Sequence, residues 1–137
     1  ETLYIKILYL NYNNGYAVIE FFGEWNDALH NDVMHLKRNI LDELSVVGIN
    51  KYILIGENVM NFHGSDDCYY EEWFDDVEEG WITAIGFRDF VLDEMTNFNI
   101  DNYVNMGGQL EEINWRPVKP ELLCKVVDEL MQKRLGV

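Results

Sequence analysis

The sequence predicts an α/β domain: an N-terminal β-hairpin followed by alternating helices and strands. These build a mixed, mostly parallel sheet of four or five strands covered by helices. Three observations predict it. Two runs of β-forming residues flank Asn13-Asn14-Gly15, and Asn-Gly between apolar runs is a strong hairpin signal. Apolar residues then recur at helical spacing in three separate stretches. Short apolar runs bounded by glycine separate those stretches, as in parallel sheets buried on both faces.

Leu3 to Leu10 reads as the first strand, with Ile5 and Ile7 on one face and Lys6 and Leu8 on the other. Asn14-Gly15 suits a type I′ turn, because both residues tolerate positive φ. Tyr16 to Phe22 follows as the second strand, with Ala17, Ile19 and Phe21 sharing a face. Asn26 or Asp27 caps a helix reaching about Val46. Its stripe is Leu29, Val33, Leu36, Ile40 and Leu44, widened by Met34 and Leu41, with Lys37 and Arg38 on the opposite side. Gly48 ends it. Lys51 to Ile55 reads as a buried strand and Gly56 to Gly64 as a loop.

Ser65, Asp66 or Asp67 caps the next helix, which runs over about 66–78 with Tyr69, Trp73 and Val77 as its stripe. Trp81 to Ile85 is a further strand, and Arg88 to Met95 a short helix. A helical turn is expected near Ile100 to Met106, and an edge strand over Leu110 to Trp115. The last helix opens at Pro120, a position where proline is tolerated, and spans about 119–134. Its apolar face holds Leu123, Val126, Val127, Leu130 and Met131.

The 137 residues fit one domain. The 48% apolar content excludes a disordered chain. No run approaches the roughly 20 apolar residues of a membrane helix. The net charge of −15, from 25 acids and 10 bases, disfavours nucleic acid and anionic membrane surfaces as partners. A basic protein partner and a metal ion remain compatible with it. Cys68 and Cys124 are far apart and form no close pair, so a reduced, cytoplasmic setting is expected. The chain opens on Glu1, which implies a trimmed start, and its first residues read as strand rather than signal peptide.

In an open parallel sheet, ligands bind beyond the carboxyl ends of the strands. The richest segment there is Gly56 to Cys68. His63, Asp66, Asp67 and Cys68 offer ligands for a divalent metal, which Glu24, Asp27 or Asp89 could complete. The other reading is that Ser65 and the aspartates cap the helix and His63 is a loop residue. The spacing matches no zinc or calcium motif. Asp66 to Glu79 holds eight acids and no base. That stretch is either a solvated helix face or a docking face for a basic partner, made by Glu71, Glu72, Asp75 and Asp76 with Tyr70 and Trp73 as aromatic anchors. Tyr4, Tyr9, Tyr12, Trp25, Tyr70 and Trp115 do not all fit inward faces, so self-association into a homo-oligomer is expected. No nucleophile elbow and no phosphate loop is present.

Tyr16-Ala17-Val18-Ile19-Glu20-Phe21-Phe22-Gly23-Glu24 resembles the second strand of STAS domains, the anti-sigma-factor-antagonist fold. Met60-Asn61-Phe62-His63-Gly64-Ser65 stands where such domains carry an Asp-Ser phospho-switch before a helix, and Ser65 is the matching hydroxyl by position. The Asp-Ser-Ser-Gly pattern is absent, and two aspartates follow Ser65. The resemblance implies a non-enzymatic regulatory or scaffold module, and a protein-interaction module without a cofactor is expected. The alternative is a divalent-metal-dependent hydrolase using His63, Asp66 and Asp67, with the metal activating water.

Overall fold

β1 (Leu3–Asn11) and β2 (Tyr16–Asn26) form the expected antiparallel hairpin, with Leu3 opposite Gly23 and Asn11 opposite Tyr16. The structure, a computed structural model, describes residues 3–136. The turn is not type I′. Gly15 takes φ 78° but Asn14 stays at negative φ. Instead, the Asn11 side chain accepts the Asn14 N–H at 3.0 Å, and the Asn11 carbonyl accepts the Gly15 N–H at 2.8 Å. This wider loop aims the Gly15 carbonyl at the next parallel strand, where it accepts the N–H groups of Asn50 and Lys51. A bulge between Ile7 and Tyr9 shifts the register. Leu3, Ile5 and Leu10 therefore pack on one core, Leu8 and Tyr9 on the other, and Ile7 is left exposed.

The helix expected over 27–46 is broken into segments. Asn26 does cap it, accepting the Leu29 N–H at 2.8 Å. α1 (Asp27–His30) ends at Asn31, which adopts a left-handed conformation (φ 52°) that asparagine tolerates better than most residues. α2 (Asp32–Leu36) runs into a π-helical turn over Lys37–Leu41 and then into α3 (Asp42–Val46). The π turn inserts one extra residue, so the buried leucines Leu36 and Leu41 are five apart. The same insertion rotates Lys37 inward, to 1% exposure, where regular periodicity placed it outside. Leu29 lies outside the stripe altogether and is exposed.

β3 is far longer than expected. It spans Lys51–His63 and pairs in parallel with β2 as far as Asn26 opposite His63. The segment read as a loop, 56–64, is therefore mostly strand. Its glycine, glutamate and asparagines are poor β-formers, and pairing with the long β2 overrides them. Gly56 is needed there because a Cβ would lie 2.4 Å from the Phe87 ring. α4 (Cys68–Asp76), β4 (Trp81–Ile85) and α5 (Asp89–Asn97) follow as expected. No fifth strand forms at Leu110–Trp115 among the described residues. That segment makes a 3₁₀ turn, Gly108–Glu112, which buries Leu110, and the sheet edge gains one parallel bridge from Thr83 to Asn105. A second 3₁₀ turn, Ile100–Asn102, and α6 (Pro120–Arg134) complete the chain.

The sheet order is β1-β2-β3-β4, with the last three strands parallel. Alternate residues of β2, β3 and β4 feed two cores. Ala17, Ile19, Phe21, Tyr52, Leu54 and Ala84 meet α2 to α5. Val18, Ile53, Ile55, Trp81 and Ile85 meet Leu123, Cys124, Val127 and Met131 of α6.

Candidate functional site

The carboxyl ends of β2 and β3 place Trp25-Asn26-Asp27 beside His63 and the short 64–67 connection into α4. Asp27 is the centre of this region, and it is 3% exposed. Its Oδ1 accepts from Trp25 Nε1 at 3.1 Å and from the Val33 N–H at 2.8 Å. Its Oδ2 accepts from the Tyr70 hydroxyl at 2.5 Å. One carboxyl thus ties β2, α2 and α4 together. Burial pushes the Asp27 carboxyl up to about 6, and the three donors keep it from rising further. Burial and the neighbouring carboxylate push the Tyr70 phenol up as well. Asp32 completes the arrangement by accepting the Asn26 N–H at 2.7 Å.

Ser65 is exposed and lines a small concavity with Asp27, Asn31, Met34, Asp66 and Tyr69. Its volume is about 30 Å³, room for one water molecule. The sequence placed Asp27 as a helix cap or a completing metal ligand and gave Asn31 no role, and the structure sets both beside Ser65.

His63, Asp66 and Asp67 are not brought together as a metal site. Asp66 Oδ1 accepts the Cys68 N–H at 3.1 Å, which satisfies the first turn of α4, and the Cys68 thiol together with this N–H holds the Asp66 carboxyl below its ordinary range. Asp67 Oδ2 accepts the Tyr103 hydroxyl at 2.9 Å. His63 is an exposed residue at the end of β3. Among the described residues, the acids within ligating reach of one another are Asp42, Glu72 and Asp76. A lysine already stands among them. Lys37 Nζ lies 3.0 Å from Glu72 Oε2 and 2.8 Å from Asp76 Oδ2, and it also pairs with Asp42. Arg38 adds a two-pronged contact to Glu72, at 2.5 and 2.9 Å, and one to Asp42 at 3.1 Å. These cations lower Glu72 to about 2 and hold Asp42 below its ordinary range.

The acidic wall on α4 is therefore divided. Glu72 and Asp76 pair with the cations of the π turn, Asp76 remaining exposed, and Glu71 and Asp75 are exposed as well. Tyr70 and Trp73, expected as surface anchors, are each 1% exposed and belong to the core. Trp73 packs edge-on against Tyr52, with centroids 5.3 Å apart. The exposed aromatic on α4 is Phe74, whose ring lies 5.7 Å from that of Tyr103. The stripe Tyr69, Trp73, Val77 put Tyr70 on the outer side, and tertiary packing buried it and left Phe74 exposed instead.

No family model and no curated protein matches the sequence. Solved structures do resemble the fold. The anti-sigma factor antagonist SpoIIAA in its unphosphorylated form superposes with a TM-score of 0.53 at 11% identity, covering 98% of each chain. The Bacillus cell fate determinant SpoIIAA in the phosphorylated form gives a TM-score of 0.50 at 10% identity, covering 77% of this chain and 93% of that one. The fold is STAS-like, with the expected hairpin, mixed sheet and closing helix.

Proposed function

We propose that this chain is a non-enzymatic regulatory module that works by binding a protein partner at the carboxyl end of its sheet, with Ser65 as a phosphorylation-sensitive position. The observation that carries the reading is the placement of Ser65: exposed, just before α4, and in one small concavity with the buried Asp27. The likeness to a protein solved in both unphosphorylated and phosphorylated forms supports it. A phosphoryl group adds about −1.5 to −2 charges at neutral pH. Here it would meet Asp66, Asp67 and Asp27, so repulsion would displace the 64–67 connection rather than order it. The partner is basic and docks on the outer side of α4, where exposed Glu71 and Asp75 flank Phe74. Acids around an aromatic anchor combine steering with a desolvated centre. The free thiols Cys68 and Cys124 fit a cytoplasmic setting.

Affinity capture from a lysate of the source cells tests this, with wild type, Ser65→Glu and Glu71→Lys/Asp75→Lys as baits. A basic protein kept by wild type and lost with both variants is the expected result. Capture that ignores both changes refutes the reading.

A further inference from the structure

The two edges of the sheet are finished differently. At β4, the Asn105 N–H donates to the Ile82 carbonyl at 2.8 Å and the Asn105 carbonyl accepts the Ala84 N–H at 2.9 Å, so the chain covers that edge itself. At β1, no strand pairs with the outer side among the described residues. An edge strand aims alternate N–H and C=O groups outward, a template for a further strand. β1 offers nine residues without a proline. A groove of about 150 Å³ runs along it, lined by Leu3 and Ile5 of β1 and by Leu36 and Ile40 across from them. Its one acid, Asp32, is already held by the Asn26 N–H.

Charge decides what can approach this edge. Residues 2–19 hold no acid and a single base, Lys6, and this is the longest acid-free stretch in a chain with 25 acids. In a molecule of net charge −15, it is the segment on which a second copy meets the least repulsion. Pairing about a two-fold axis is antiparallel and keeps each face of the sheet on its own side, so side chains of like direction meet. Centring on Ile5 sets Ile5 against Ile5, Leu3 against Ile7 and Tyr4 against Lys6, the last two pairs occurring twice. Tyr4 is 59% exposed, Ile7 42%, and Lys6 is exposed too. The apolar pairs extend the groove side, and on the other face each ammonium meets a phenol ring. Centring on Lys6 would oppose two ammonium groups. The bulge after Ile7 ends the match. Such self-complementarity is what a two-fold contact requires and what a foreign strand would not need.

We propose that two copies of this chain join β1 to β1, antiparallel and centred on Ile5, to make one continuous sheet. With the β4 edge covered, the joint consumes the open edge of each copy and assembly stops at two. Pairing limited to Leu3–Ile7 makes a small interface, so the dimer is weak, and salt strengthens it by screening the net charge. It uses neither Ser65 nor α4 and stands independently of the partner-binding reading.

Sedimentation velocity of the full chain over about 5 to 300 µM, at low salt and at about 0.3 M sodium chloride, tests the proposal. A reversible monomer–dimer equilibrium, tighter at the higher salt, is expected. Amide hydrogen exchange should slow with concentration within β1 alone. Tyr4→Lys sets lysine against Lys6 twice and should weaken the dimer at least tenfold, although it reduces the net charge. In a Cys68→Ser chain, Ile5→Cys should cross-link on oxidation at least tenfold faster than Ile7→Cys, because equivalent Cβ atoms come within disulfide reach, about 4 Å, only at the axis. Should Ile5→Cys fail to fold, the exchange measurement on the wild type decides. A monomer throughout, a dimer whose β1 amides exchange unchanged, indifference to Tyr4→Lys, or faster cross-linking at Ile7 would each overturn it.

Discussion

Asp27 accepts three hydrogen bonds in a buried site and still titrates near 6, which makes it a pH-dependent element of stability. Its folded value lies above the ordinary 3.8, so the native state holds the proton more tightly than the unfolded chain. Stability from this group is therefore full below about pH 4 and is lost as pH rises towards 6, by about 3 kcal/mol for two units of displacement. Asp27→Asn keeps an acceptor for Trp25 and Val33 and can donate to the Tyr70 oxygen. Urea midpoints of the wild type minus this variant should fall between pH 4 and 6.5 and then level. A flat difference would place the buried charge elsewhere. Lys37 is the converse case, a buried cation whose three acidic partners are each about two-fifths exposed. Lys37→Met preserves the stem but leaves Arg38 alone with three carboxylates. A loss of about 2 kcal/mol is expected, below the usual cost of breaking a fully buried pair because water reaches the acids. Asp76→Asn in the same chain should restore part of it, a coupling that a double-mutant cycle reads directly.

At the scale of elements, the junctions constrain more than the elements do. Gly80 sits where β4 starts beside β3, and a Cβ there would lie 1.6 Å from the Asn50 carbonyl oxygen. That carbonyl accepts the Trp81 N–H at 3.0 Å, so it cannot retreat without opening the β3–β4 ladder. Gly80→Ala should cost about 3 kcal/mol or more and lower the thermal midpoint accordingly. An unchanged midpoint would mean that the two strand starts are further apart than described. The broken helix teaches a related point. The stripe from Leu29 to Leu44 looked continuous, yet Asn31 and the π turn at Lys37–Leu41 divide it. The step of five between Leu36 and Leu41 was visible in the sequence, but it read as a widened stripe because regular periodicity tolerates an extra apolar residue.

For the whole molecule, net charge is the dominant global quantity. With −15 on 137 residues, self-repulsion opposes compaction, whereas the ion pairs around Lys37 and Arg38 favour it. Raising sodium chloride from 10 mM to 0.3 M shortens the Debye length from about 30 Å to under 10 Å. The expected result is a thermal midpoint higher by a few degrees, because the excess acids outnumber the paired ones. A lower midpoint would show that the local pairs outweigh the global repulsion.

The α/β class, the hairpin and the main order of strands and helices were legible in the sequence. Each of these rests on local chemistry: period, turn residues and glycine stops act within a few residues of the chain. What only the tertiary structure decided was everything that depends on a neighbour distant in sequence. β3 continues to His63 because β2 runs beside it, not because Glu57, Asn58 and Asn61 favour a strand. Tyr70 turns inward because Asp27, 43 residues away, accepts its hydroxyl. Glu72 and Asp76 pair with Lys37 because the π turn rotates it to meet them, Asp66 makes a helix-start contact, and Asp67 accepts a tyrosine hydroxyl. Charge and hydroxyl groups have no periodicity of their own. Their partners are chosen by the packing of the apolar faces, which is why the fold could be read ahead and most of the site could not.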